Sequence, residues 1–143
     1  MEFAIVAPVL LTVVLGVAQA SCLYETQNIL ANAIREGARL ASMDRSGIVP
    51  QGMSTNDKII QDIQNFLTAN GFAGDEVTVS ITDPDNDLIP FDLDDPDNDL
   101  ELFKVTIELP YGAMNNYIQL PNADEIYLSA DLTFRNNRAS LVQ

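Results

Sequence analysis

The chain has 143 residues, of which 21 are acidic, 7 are basic and none is histidine, giving a net charge of −14. That leaves room for one modest globular domain and argues against nucleic acid or anionic lipid headgroups as partners, since both require cationic surface. The only cysteine, Cys22, excludes a disulfide within the chain.

The first element is an apolar helix. Glu2 is followed by an uncharged run from Phe3 to Tyr24, which at ~1.5 Å per residue is roughly 33 Å long, enough to cross a bilayer. No comparable run occurs later. Val17-Ala18-Gln19-Ala20 could serve as a signal-peptidase site, but no basic residue precedes the run as a secretory signal requires. Cys22 as a lipid attachment site lacks an aliphatic residue in Gln19-Ala20-Ser21 before it, and reads better as a small apolar side chain in a helix face. Pro8 falls in the early turns, where its missing N–H does little damage.

The helix should continue to about Met43, for a total of roughly 60 Å. Leu30, Ala33, Ile34, Gly37, Ala38 and Ala41 share one face, while Asn28, Asn32, Arg35, Glu36 and Arg39 share the other. Ala33, Gly37 and Ala41 are small and four apart, as are Gly16 and Ala20 further down. Another backbone could approach closely at these positions. The alternative is that this face packs on the protein's own globular part.

Ser46-Gly47 and Pro50-Gln51-Gly52 end the rod. Ser54, with Asp57 three residues on, caps a second helix whose apolar face is Ile59, Ile60, Ile63, Phe66 and Leu67, and Asn70-Gly71 stops it. Three alternating segments follow: 77–81, 103–109 and 127–134. Residues 113–126 connect the last two, with a short helical turn expected at Met114 to Tyr117. The expected fold is α+β, a long N-terminal helix (1–45) and a head (46–143) of one helix and a short antiparallel sheet of about three strands. The strands must cover the second helix or the rod, because isolated hairpins are marginal.

Between the first two strands lies an acidic loop, 83–101, holding nine of the 21 acids. Asp83-Pro-Asp-Asn-Asp-Leu88 recurs as Asp95-Pro-Asp-Asn-Asp-Leu100. Asp83, Asp85, Asp87 and Asp94 stand at positions 1, 3, 5 and 12 of a calcium-loop pattern, and Asp95, Asp97 and Asp99 extend it. Leu88 stands where an EF-hand needs glycine, and Asp94 where it needs glutamate. A calcium loop between strands is therefore the candidate cofactor site, and calcium would then raise the melting temperature. A solvated, self-repelling loop that keeps neighbouring molecules apart is the alternative.

Glu2-Phe3-Ala4-Ile5-Val6-Ala7-Pro8, an aliphatic run, and then Ala33-Ile34-Arg35-Glu36-Gly37-Ala38-Arg39 resemble the TadE-like pilins of the tight-adherence branch of type IV pilus systems. The two motifs and their separation match closely over about residues 2 to 42; beyond that the likeness is one of architecture. The resemblance implies a prepilin cut by a dedicated peptidase and held in the inner membrane. Assembly machinery then draws it into a homo-oligomeric extracellular filament whose core is the bundled N-terminal helices. In that family the glutamate matching Glu2 usually stands fifth in the mature chain. Its place here implies that several residues are absent or that processing differs.

Glu2 also has a physical reading. A carboxylate beside an apolar run is costly unless paired, and the α-amino group of its own or a neighbouring subunit would pair it and fix axial register, with Phe3 beside it. Alternatively, Glu2 sits in headgroup water, where a helix N-terminus favours it. The expected function is that of a structural pilin subunit for surface attachment. The competing reading is a membrane-anchored or secreted calcium-binding or adhesive domain that never polymerises. No enzyme is expected, because no Gly-rich phosphate loop, no head-domain cysteine and no Ser or Thr beside an evident base occurs.

Overall fold

The computed structural model describes residues 3–43, 47–114 and 125–137. Its elements are α1 (Phe3–Ala41), α2 (Thr55–Ala69), β1 (Thr78–Thr82), β2 (Leu102–Pro110) and β3 (Tyr127–Arg135), with 3₁₀ turns at Pro96–Asn98 and Tyr111–Ala113. The arrangement is α+β. Asn115 to Tyr117 of the expected helical turn lie outside the described residues.

α1 runs unbroken through Pro8, and the Thr12 hydroxyl donates to the Pro8 carbonyl at 2.9 Å. The helix closes on a tightened turn, with Ser42 N–H donating to Arg39 O at 3.1 Å. α2 begins with Ser54 in extended conformation, its side chain accepting from Asp57 N–H at 3.1 Å. It ends in a Schellman motif. Gly71 takes the left-handed φ of 89°, its N–H reaches Thr68 O at 3.0 Å, and Phe72 N–H reaches Leu67 O at 3.1 Å. Phe72 is thereby turned into the core.

The sheet has the order β1-β2-β3, antiparallel throughout. Val79 opposes Ile107, Ile81 opposes Val105, and Phe103, Val105, Ile107 and Leu109 oppose Phe134, Leu132, Ala130 and Leu128. Because side chains alternate, this puts one apolar row on a single face. Both helices lie on that face, α1 chiefly over β3 and α2 over β1. The core therefore joins all five elements, and Leu30 and Ile34 of α1, Ile59, Ile63 and Leu67 of α2, and Phe103, Val105, Ile107 and Leu109 of β2 are fully buried. Each such side chain contributes roughly 1.5–3 kcal/mol by leaving water. The upper half of α1 is thus part of the head's core, and α2 buries Ile59, Ile63 and Leu67 while Ile60 and Phe66 are half-buried.

Candidate functional site

Below the head, α1 stands alone. From Phe3 to Val17 every residue is exposed, on all sides of the helix. Phe3 is 89% exposed, Val9 61% and Val17 61%. Fifteen consecutive residues of this kind, with Ile5, Val6, Leu10, Leu11, Val13, Val14 and Leu15 among them, present no polar face at all. A helix that is apolar all round belongs in lipid or among other helices. The whole of α1, Phe3–Ala41, is long and apolar enough to cross a membrane.

The residues marked out in the sequence fall into two groups along this helix. Glu2 lies outside the described residues. Phe3, Gly16 and Ala20 are on the exposed part, and a Cβ added at Gly16 would meet nothing within 4 Å. Ala33, Gly37 and Ala41 are buried by the protein's own head. At Gly37 the close approach comes from α2: a Cβ there would lie 2.5 Å from Ile63 Cγ1 and 3.4 Å from Ile59 Cγ2. The boundary between the two regimes is Gln19, whose side-chain amide donates to the Tyr111 hydroxyl at 2.5 Å.

The acidic loop is built from local turns. In the first repeat Asp85 N–H donates to Asp83 Oδ1 at 2.8 Å, and Asn86 N–H to Asp83 O at 3.3 Å. The second repeat copies this, with Asp97 N–H on Asp95 Oδ1 at 3.0 Å and Asn98 N–H on Asp95 O at 3.1 Å. The sequence repeat is therefore a repeat of one Asp-Pro turn, in which aspartate accepts from the backbone two residues on. Asp94 is used elsewhere: Oδ2 accepts from Thr55 N–H at 2.7 Å and Oδ1 from the Thr55 hydroxyl. This places a carboxylate at the start of α2, where free N–H groups and the helix dipole favour it.

Asp87 pairs with Lys104 on β2, which holds that ammonium above its ordinary value of 10.5, chiefly through the hydrogen bond between them. Asp99 donates its N–H to Pro96 O at 3.2 Å, and its Oδ1 is buried with no hydrogen-bond partner. Among the described residues no three acids are grouped so as to hold a metal ion.

Two asparagines that sequence reasoning passed over hold the loop in place. Asn56 of α2 donates to Phe91 O at 2.6 Å and accepts from Leu93 N–H at 3.0 Å. Asn136, fully buried just after β3, donates to Leu93 O at 3.3 Å and Asn98 O at 3.0 Å, while its backbone exchanges 2.8 Å bonds with Leu100 and Glu101. The available signal was thin: one polar residue following a strand pattern.

No curated protein and no solved structure matches this chain. The family model described as TadE-like protein matches residues 1–39. That match covers the protruding part of α1, the Gln19 boundary and most of the segment that α2 packs against, so the N-terminal helix of this chain is similar to that of TadE-like proteins.

Proposed function

We propose that this protein is a pilin subunit, anchored in the membrane by α1 before assembly and packed through α1 into a Tad-type extracellular filament afterwards. The observation that carries this is the all-round exposure of Phe3 to Val17, next to an upper half of the same helix that is closed by its own head. One surface then serves two solvents in turn, lipid first and neighbouring helices second. Gly16 and Ala20 remain open for close helix approach. Glu2, at the outer limit of the apolar run, supplies a charge for register against a neighbouring amino group, and a prepilin peptidase and assembly machinery are the partners this implies.

A second reading rests on Gly37. The small-residue face formed by Ala33, Gly37 and Ala41 is occupied by α2, as a membrane-anchored domain that never polymerises would also require. The two readings part on one experiment. Surface material sheared from producing cells, pelleted and viewed by negative stain, should contain fibres carrying this subunit. Glu2→Ala should abolish incorporation while the head stays folded. A subunit found only as a detergent-extracted monomer would establish the anchored, non-polymerising form.

A further inference from the structure

α1 is apolar over a greater length than it is free. Its uncharged run continues to Tyr24, but full exposure ends at Val17, and Gln19 is half-covered by the end of the sheet, where Tyr111 holds it. Phe3 to Val17 is about 22 Å of helix, against a hydrocarbon thickness of about 30 Å. Glu2 bounds the run below, so sliding the helix deeper does not help, and tilting it shortens its reach further. The shortfall of about 8 Å has to be met by the head or by a thinned bilayer.

At this level the head offers apolar and aromatic surface. Tyr111 N–H is bonded to Ile126 O at 2.7 Å, and Tyr127 opposes Pro110, so Ile126 and Tyr127 sit at the same end of the sheet as Tyr111. Ile126 is 44% exposed and Tyr127 59%; on α1, little more than one turn above Gln19, Tyr24 is 71% exposed. Lys104 and Arg135 lie toward the other end of the sheet, as does the acidic loop, which rejoins the strands at Leu102. That end is roughly 26 Å away along β2. Such a ring would be held by depth, not by headgroup charge.

Resting on the membrane-anchored reading of α1, we infer that Tyr24, Ile126 and Tyr127 form a collar that sinks into the interfacial layer of the bilayer before assembly. Tyrosine suits this layer, its ring entering the apolar zone and its hydroxyl remaining wet. Glu25 and Glu125, each exposed and next in the chain to a collar residue, limit the depth.

The chain has no tryptophan, so single-Trp variants report depth without background. Tyr24→Trp, Tyr127→Trp, Val9→Trp and Leu88→Trp full-length proteins are reconstituted in phosphatidylcholine vesicles carrying bromines either near the headgroup or near the bilayer centre. The expected result is deep quenching at position 9, shallow quenching at 24 and 127 at least twofold above that at 88, and little at 88. If position 9 is quenched while 24 and 127 behave like 88, the collar is overturned and the anchor stands. If position 9 is not quenched, anchor and collar both fall.

Discussion

Gly37 of α1 faces Ile63 of α2 so closely that a Cβ on the glycine would lie 2.5 Å from Ile63 Cγ1 and 2.7 Å from Cδ1. Ile63 is fully buried and belongs to the core cluster that α1, α2 and the sheet share. The glycine therefore sets the distance between the two helices and, through α2, the seating of the acidic loop.

Gly37→Ala should accordingly destabilise the head. Overpacking costs about 1–3 kcal/mol, and better helix propensity returns about 1 kcal/mol. A net loss of up to about 2 kcal/mol is expected, read as a lower melting temperature. In an Ile63→Ala background the clash is gone, so the same substitution should cost nothing or stabilise. A double-mutant cycle without that coupling would mean the helices do not meet at this pair.

Asp94 makes a second testable joint. Its two oxygens serve Thr55, which is only 2% exposed. Asp94→Ala removes hydrogen bonds to a charged group and a favourable charge at the start of α2, together about 1.5–3 kcal/mol. Thr55→Val should cost a comparable amount, and the double variant less than the sum. The difference in melting temperature between wild type and Asp94→Ala should be the same in millimolar calcium as in chelator, because the role lost is that of a helix partner. A difference that widens when calcium is added would assign Asp94 to an ion instead.

The elements were legible from the sequence because each is set by local chemistry. The strand alternation around Phe103 to Leu109, the Ser54 cap and the Asn70-Gly71 stop are all present as expected. The loop's interior was not legible in the same way. Its aspartates carry a calcium-like spacing, but the same Asp-Pro-Asp-Asn letters satisfy a backbone turn, and spacing alone cannot tell convergence on an ion from acceptance of a nearby N–H. Asn56 and Asn136 act across 35 to 43 residues of chain, contacts with no periodic trace in the sequence. The alternatives posed for the small-residue face could likewise be weighed only once α2 was located against Gly37.

Lys104 gives the loop a pH dependence on the alkaline side. Its pKa is raised above 10.5 in the folded protein, first by its bond to Asp87. A raised lysine pKa stabilises the fold at all pH values below the unfolded one, and the benefit disappears as pH climbs through the folded value. Tyrosines also titrate there, so the informative quantity is the difference between wild type and Lys104→Met. That difference in melting temperature should be constant from neutral pH to about 10 and shrink above it. A difference that grows with pH would reverse the assignment.

The protruding helix can be tested apart from the head. Val9 is near the middle of the exposed run and touches no part of the folded core. An aspartate at the centre of a membrane helix costs about 2.5–3.5 kcal/mol on insertion scales, and in a helical bundle it would be an unpaired buried charge. Val9→Asp should therefore shift the protein from the membrane fraction and remove it from any sheared filament. The head's melting temperature, set by α2, the sheet and the upper half of α1, should stay within about 2 °C of wild type, because surface substitutions away from the core are worth less than about 0.5 kcal/mol. Unfolding of the head in this variant would show that the lower half of α1 is part of the fold. Membrane retention and filament incorporation at wild-type levels would mean that this stretch is neither anchor nor assembly surface.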